Sequence, residues 1–220
     1  HPLLDEVKIT EPPSSVKANL GIGPKMQTIG LMPGSRLKEV TRHLPVMLEA
    51  AKILLNNNPN RCFIVLKADT VSRDLLVDEI NKSSIPAIIY DGPTYNGIGA
   101  MDAAIIASGT ATLEAGLLLR PMVIMYKTAW LTYWLAKNFI KIPYIGLVNV
   151  VAGKKIIEEY IQDDASPENL ANGIEKIVAN PNAYGQITND LADVKKRLGN
   201  SGANGRAARI VTDELSKVSP

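Results

Sequence analysis

In the run Ile105-Ile106-Ala107-Ser108-Gly109-Thr110-Ala111-Thr112-Leu113-Glu114, an apolar stretch leads into small hydroxyl residues, a glycine and a carboxylate. Small residues let a ligand come close to the backbone. A helix opening at this point offers unpaired N–H groups and its positive dipole end to an anion. Glu114, about one turn further on, cannot hold phosphate, but its carboxylate can accept hydrogen bonds from the vicinal hydroxyls of a sugar. Phosphate-binding backbone beside a diol-binding carboxylate is the chemistry of nucleotide recognition. The same residues also suit a plain capped helix in a parallel-sheet domain, since Ser and Thr favour N-caps.

Three further stretches carry polar groups at the end of an apolar run. In Leu31-Met32-Pro33-Gly34-Ser35-Arg36 the glycine permits a tight strand-to-helix turn, Ser35 can cap the helix, and Arg36 can give paired bonds to a pyrophosphate. This turn matches neither the six-residue dinucleotide glycine pattern nor a P-loop. Arginines are mostly exposed in any protein, so the turn alone does not separate a phosphate ligand from a solvated side chain. Pro121-Met122-Val123-Ile124-Met125-Tyr126-Lys127 brings a cation to the same sheet edge, where Lys127 serves either a ligand or solvent. Leu147-Val148-Asn149-Val150-Val151-Ala152-Gly153 reads as an apolar loop holding one amide. An amide isolated in this way needs a partner, either in a turn, on the backbone or on a ligand.

These residues depend on the elements that carry them. Thr28-Ile29-Gly30-Leu31-Met32 reads as a buried strand, and after Pro33-Gly34 the residues Val40, Leu44, Met47, Leu48, Ala51, Leu54 and Leu55 recur at helical spacing. Pro45 inside that helix predicts a kink or a late start. Strands are predicted at 63–66, 87–90, 103–107 and 122–125, with helices at 72–82 and 112–119. After about Lys155 the pattern turns helical, at 156–162, 167–179, 183–198 and 203–218, with Ser166-Pro167 as an N-cap and N1 pair. Gly199-Asn200-Ser201-Gly202 separates the last two helices. Five strands separated by helices predict an α/β fold, a doubly wound, Rossmann-like parallel sheet with a helical C-terminal segment. Ligands are then expected at the carboxyl ends of the strands.

At 220 residues the chain is one large domain or two small ones. A net charge of +2 is too small to argue for a nucleic-acid partner. The single Cys62, set in an apolar run, excludes an intrachain disulfide and a cysteine metal cluster and fits a reduced compartment. Two histidines are too few for a His-rich metal site. No run of about 18 apolar residues occurs, so no membrane-spanning helix is expected. His1-Pro2 and Pro12-Pro13 give the first twenty residues an extended character, expected of a linker leaving a preceding domain, with the Rossmann-like domain over 21–220.

Taken together, the four motifs resemble the C-terminal half of lipid-A-disaccharide synthase, an inverting glycosyltransferase of the GT-B architecture. Leu-Met-Pro-Gly-Ser-Arg-Leu-Lys-Glu-Val at 31–40 is similar to the family's Leu-Pro-Gly-Ser-Arg-x-x-Glu-Val/Ile segment, with Met32 before the proline. Residues 107–114 resemble its Ala-Ser-Gly-Thr-Ala-x-Leu-Glu signature, and 121–127 its Pro-Met-Val-Val-x-Tyr-Lys/Arg strand. Trp134-Leu135-Ala136-Lys137, Asn149-x-x-Ala-Gly-Lys followed by Gln162, and the opening His1-Pro2-Leu3 fit as well. The resemblance covers nearly the whole chain. One departure is Val148, where the family has proline before the loop asparagine.

The resemblance implies transfer of 2,3-diacylglucosamine from UDP onto 2,3-diacylglucosamine 1-phosphate, forming a β-1,6 disaccharide on the route to lipid A. It implies that Arg36 and the backbone of Ser108, Gly109 and Thr110 hold the UDP pyrophosphate, with Lys127 adding charge, and it counts Ser35, Ala111 and Thr112 among the substrate-binding residues. Glu114 would accept the ribose hydroxyls, and Asn149 and Gln162 would line the donor pocket. No metal or other cofactor is expected, because GT-B enzymes stabilise departing UDP with helix dipoles and cations, and no Asp-x-Asp follows an apolar strand. The catalytic base and most of the acyl-acceptor site are expected in an N-terminal domain. The implied setting is cytoplasmic, peripheral on the inner membrane of a Gram-negative-type bacterium. Another UDP-sugar transferase or epimerase of the same architecture would share the Arg36 and Glu114 roles. A non-enzymatic nucleotide-binding module would have no need of Arg36, Glu114 and Asn149 together.

Residues 126–144 hold six of the eleven aromatics, interleaved with lysines, a composition suited to a membrane interface or to a packed helix. In a helix Trp130, Tyr133 and Trp134 share a face, Lys137 follows one turn on, and Phe139 points away. Lys195-Lys196-Arg197 with Arg206 and Arg209 reads as a solvated helical face. Apolar burial is worth roughly 25 cal/mol per Å², so replacing Trp130 and Trp134 with Ser should reduce vesicle binding by the full-length protein and leave its thermal midpoint nearly unchanged. A large drop in the midpoint with unchanged vesicle binding would assign these aromatics to the core.

Overall fold

The computed structural model describes residues 1–128 and 143–218, with side chains described to residue 213. The aromatic segment singled out above lies for the most part outside the described residues. Six strands form one sheet: β1 (Gln27–Met32), β2 (Arg61–Leu66), β3 (Ala87–Tyr90), β4 (Ala103–Ala107), β5 (Met122–Tyr126) and β6 (Glu159–Ile161). All pairs are parallel and the order is β3-β2-β1-β4-β5-β6.

Alternation along the strands explains this arrangement. Ile29 and Leu31, Phe63 and Val65, Ile105 and Ala107, and Val123 and Met125 face one apolar layer. Met32, Ile64, Leu66, Ala104, Ile106, Met122 and Ile124 face another. Strands buried on both faces need helices on both faces. One face is covered by α3 (Leu37–Asn57), α4 (Arg73–Ser83) and α8 (Pro167–Val178). The other is covered by α2 (Pro13–Asn19), α5 (Thr94–Gly99), α6 (Thr110–Leu117), α7 (Leu147–Ala152) and α9 (Pro181–Arg197). On β1, Gly30 leaves room for Met101, whose Sδ would stand 2.1 Å from an added Cβ. The last helix is α10 (Ala203–Val218).

Four expectations are corrected. First, residues 156–162 are not a helix. They hold β6, whose Glu159, Tyr160 and Ile161 pair with Ile124, Met125 and Tyr126 of β5. A short apolar run reads equally as strand or helix, and a vacant sheet edge decided it. Second, α3 continues through Pro45 in place of starting late. Burial of Val40, Leu44, Met47, Leu48, Ala51 and Leu54 along one stripe offsets a proline penalty of about 3 kcal/mol. Third, α6 begins at Thr110, two residues before its expected start, with Gly109 as N-cap. Fourth, the first twenty residues are not wholly extended. They contain α1 (Leu3–Glu6) and α2, and they pack on the domain. Lys17 pairs with Asp102 at 3.0 Å, and Asn96 Oδ1 accepts from the Thr10 and Glu11 amides.

A largely buried ion pair joins four elements at the amino ends of β1 and β2. Arg61 Nη1 and Nη2 donate to the two carboxylate oxygens of Glu175 on α8, at 2.6 and 2.8 Å. Arg61 also donates to Gln27 Oε1 and to the Leu54 carbonyl of α3. The Arg61 bonds hold the Glu175 carboxyl below its ordinary value of 4.5. A carboxylate depressed in the folded state stabilises fully above its unfolded value and loses that contribution as pH falls through the folded one. Glu175→Gln should therefore cost about 2 kcal/mol at pH 7, since Arg61 is left buried and half-paired. In urea unfolding the gap from the parent should narrow below pH 4.5. A gap that stays constant with pH would place the pair's contribution elsewhere.

Candidate functional site

Because β1 lies between β2 and β4, the chain winds outward in both directions from β1, and the loops after β1 and β4 part. Doubly wound sheets bind ligands in the crevice that opens at this switch point. Here the crevice is a cavity of about 740 Å³. Four segments line it, each leaving the carboxyl end of a strand: Met32, Gly34, Ser35, Arg36 and Glu39 after β1; Lys67 to Thr70 after β2; Pro93 to Tyr95 after β3; and Ser108 to Ala111 with Glu114 after β4.

The turn after β1 is built around Gly34, whose φ of +116° is a conformation that side-chain-bearing residues rarely adopt. Glu39, in the first turn of α3, reaches back over this glycine. Its Oε2 accepts from the Ser35 amide at 3.3 Å and its Oε1 from Arg36 Nη1 at 2.9 Å. The Arg36 side chain is 81% exposed. Thr70 donates its hydroxyl to the Ser35 carbonyl, tying the β2 loop to the same turn. Lys67 is paired with Asp91 at 3.0 Å.

On the other wall, nothing stands within 4 Å of the place a Cβ would occupy on Gly109, so the N-terminal backbone of α6 is open to the cavity. The Thr112 hydroxyl donates to the Gly109 carbonyl and the Ser108 hydroxyl to the Ile145 carbonyl, which fixes this backbone. Glu114 lies deeper. Burial pushes its carboxyl above the ordinary value, the Glu6 carboxylate adds to the rise, and a hydrogen bond from the Tyr95 hydroxyl opposes it. Burial likewise raises Tyr95, with Glu114 and Glu6 adding. The cavity thus gathers a cation, open amides and a half-buried carboxylate beside a phenol. Among the described residues no His, Cys, Asp and Glu gather into a set of three that could hold a metal ion.

The structure thus brings together Ser35, Arg36, Ser108, Gly109, Thr110, Ala111 and Glu114. The remaining four expected residues do not line this cavity. Thr112 is fully buried beneath the α6 turn. Lys127 donates its ammonium to the Ala165 carbonyl at 3.1 Å. Gln162 grips the backbone of Thr128, accepting from its amide at 2.7 Å and donating to its carbonyl at 3.2 Å. Asn149 is fully buried, in helix α7 where a loop was expected. Its amide donates to the Ile157 carbonyl and to Glu159, and its oxygen accepts from the Ile156 and Ile157 amides. Each of these side chains satisfies buried or half-buried backbone, as polar groups inside proteins must.

Sequence reasoning missed the lining between Lys67 and Thr70 and the pair Thr94 and Tyr95. The signal was available, since both follow predicted strands of a parallel sheet. His43 was also missed. It is fully buried, with Nδ1 2.9 Å from the Pro33 carbonyl and Nε2 3.0 Å from that of Lys127, linking the turn after β1 to the end of β5.

Known proteins are similar to this chain in sequence and in fold. The family model described as Lipid-A-disaccharide synthetase matches residues 1–211. The lipid-A-disaccharide synthase of Syntrophus aciditrophicus is 41% identical over 218 residues, covering 99% of this chain and 57% of that protein. That of Myxococcus xanthus is 34% identical over 214 residues, covering 97% of this chain and 56% of that protein. The chain spans little more than half the length of these curated relatives. Among solved structures, WaaG, a glycosyltransferase involved in lipopolysaccharide biosynthesis, superposes with a TM-score of 0.60 at 14% identity, over 96% of this chain and 53% of that one. At that identity the likeness concerns the fold alone, and it agrees with the GT-B architecture. On sequence and fold together, this chain belongs to the lipid-A-disaccharide synthase family.

Proposed function

We propose that the chain supplies the donor-binding part of a hexosyltransferase in lipid A synthesis, which moves 2,3-diacylglucosamine from UDP to 2,3-diacylglucosamine 1-phosphate with inversion. One observation carries this reading. The cavity at the switch point is lined together by the Arg36 guanidinium, the open α6 backbone and the Glu114 carboxylate. A nucleoside diphosphate offers a partner to each, its phosphates to the cation and the amides and its ribose diol to the carboxylate.

In this proposal the acceptor's 6-hydroxyl attacks the anomeric carbon on the face opposite UDP. The bond to the UDP oxygen breaks and negative charge gathers on the β-phosphate. Arg36 and the α6 amides are placed to stabilise that charge, an electrostatic contribution that needs no rearrangement during reaction. Glu114 accepts from the ribose hydroxyls, with the Tyr95 hydroxyl beside it. The base that takes the hydroxyl proton, and most of the acyl-acceptor surface, are assigned to the part of the relatives' length that this chain does not span. Acylated substrates call for work at a membrane surface, on the cytoplasmic side of the inner membrane. Among the described residues no helix is long and apolar enough to cross a membrane.

Calorimetric titration with UDP tests the reading. Arg36→Ala should weaken UDP by about tenfold, the lower end of the range for a charged hydrogen bond because the side chain is exposed, and leave uridine nearly unaffected. Equal loss for both ligands would remove Arg36 from the phosphates. Glu114→Gln should weaken UDP and hardly change a 2′,3′-dideoxy analogue, which already lacks the partner hydroxyls. Parallel losses would overturn the ribose role.

A further inference from the structure

The two anion donors of the turn after β1 are already engaged by an anion of the protein's own. Glu39 spans them with its two carboxylate oxygens, one on the Ser35 amide and one on the Arg36 guanidinium. A helix-capping carboxylate ordinarily returns to the amide of the N-cap residue. The N-cap here is Arg36, and Glu39 passes its amide to reach that of Ser35 and the Arg36 side chain. Gly34 makes the approach possible, since a Cβ there would stand 2.6 Å from Glu39 Oε2. The carboxylate lies on the cavity wall and is about a quarter exposed, and its partner guanidinium is largely in solvent. Exposed pairs of this kind are worth about 0.2–1 kcal/mol and open readily.

We propose that Glu39 is an internal stand-in for phosphate, occupying the Ser35 amide and the Arg36 guanidinium until a diphosphate displaces it. This rests on the nucleoside-diphosphate reading of the cavity. The contact keeps the turn and the arginine arranged for an anion in the empty protein. It also sets a threshold: a ligand must bring enough negative charge to replace a carboxylate on both donors. A neutral nucleoside leaves the pair in place, so Glu39 sets the affinity of the turn for anions: every anion that uses both donors must displace it.

The test is titration of the protein and of Glu39→Gln with UDP, inorganic pyrophosphate and uridine. Removing the charge frees both donors, so UDP and pyrophosphate should bind about two- to fivefold more tightly, the release of one exposed pair, with uridine unchanged. Unchanged or weaker diphosphate binding overturns the proposal and leaves Glu39 as a cap or as a support for Arg36. If the parent protein binds no UDP, the nucleotide reading fails instead, which is a separate result. Should the Gln variant not fold, Glu39→Asp, one methylene too short to span both donors, should show the same gain. In the parent protein, a structure with pyrophosphate bound should show Glu39 withdrawn from Ser35 and Arg36. Glu39 still bonded to both would be equally fatal.

Discussion

The position of β1 between β2 and β4 is the constraint on which the rest depends. Gly30 and Leu31 are paired on both sides, with Ile64 and Val65 across one edge and Ala104 and Ile105 across the other. Because the chain leaves β1 for β2 and returns later to β4, the two following loops turn to opposite faces and cannot close over the strand ends. The cavity is what remains between them. Its phosphate-friendly backbone, its arginine and its carboxylate come from segments far apart in the chain, and only the parallel pairing brings them to one edge.

Around that opening the charges are few and mostly engaged. Arg36 is held by Glu39, Lys67 by Asp91, and Glu114 by the Tyr95 hydroxyl. Pairing of this kind limits the movement of these side chains, which lowers the ordering cost of binding. The N-terminal residues contribute as well. Asn96, in the helix that also carries Tyr95, is anchored to Thr10 and Glu11, and Glu6 is close enough to raise Glu114. The first twenty residues therefore pack against a helix that forms part of the cavity wall.

The polar residues beyond the cavity carry a different load. Asn149 fixes the backbone of Ile156 and Ile157 just ahead of β6, Glu159 accepts from the Ile145 and Gly146 amides, and Gln162 clasps Thr128. These bonds hold the short sixth strand on the sheet edge, where three residues of ladder would otherwise be a weak attachment. Asparagine and glutamine in apolar surroundings are as informative as ligands would be, but about the chain's own backbone.

Much was determined by the sequence itself. Continuous apolar runs at 28–32, 63–66, 103–107 and 122–125, with helical spacing between, dictate a doubly wound sheet because each such strand must hide both faces. Glycine and hydroxyl residues after strands, with Arg36 and Glu114 at fixed distances, mark the two loops that meet, since local chemistry at a strand end survives whatever lies around it. Tertiary structure alone decided the rest. Whether 156–162 became helix or strand depended on a vacant edge beside β5. Which polar side chains face the cavity depended on competition with unsatisfied backbone nearby, and for Asn149, Gln162 and Lys127 the backbone won. No spacing in the chain reveals such outcomes, because the competing carbonyls and amides arrive from other elements, and a buried polar atom takes whichever partner the fold places within reach.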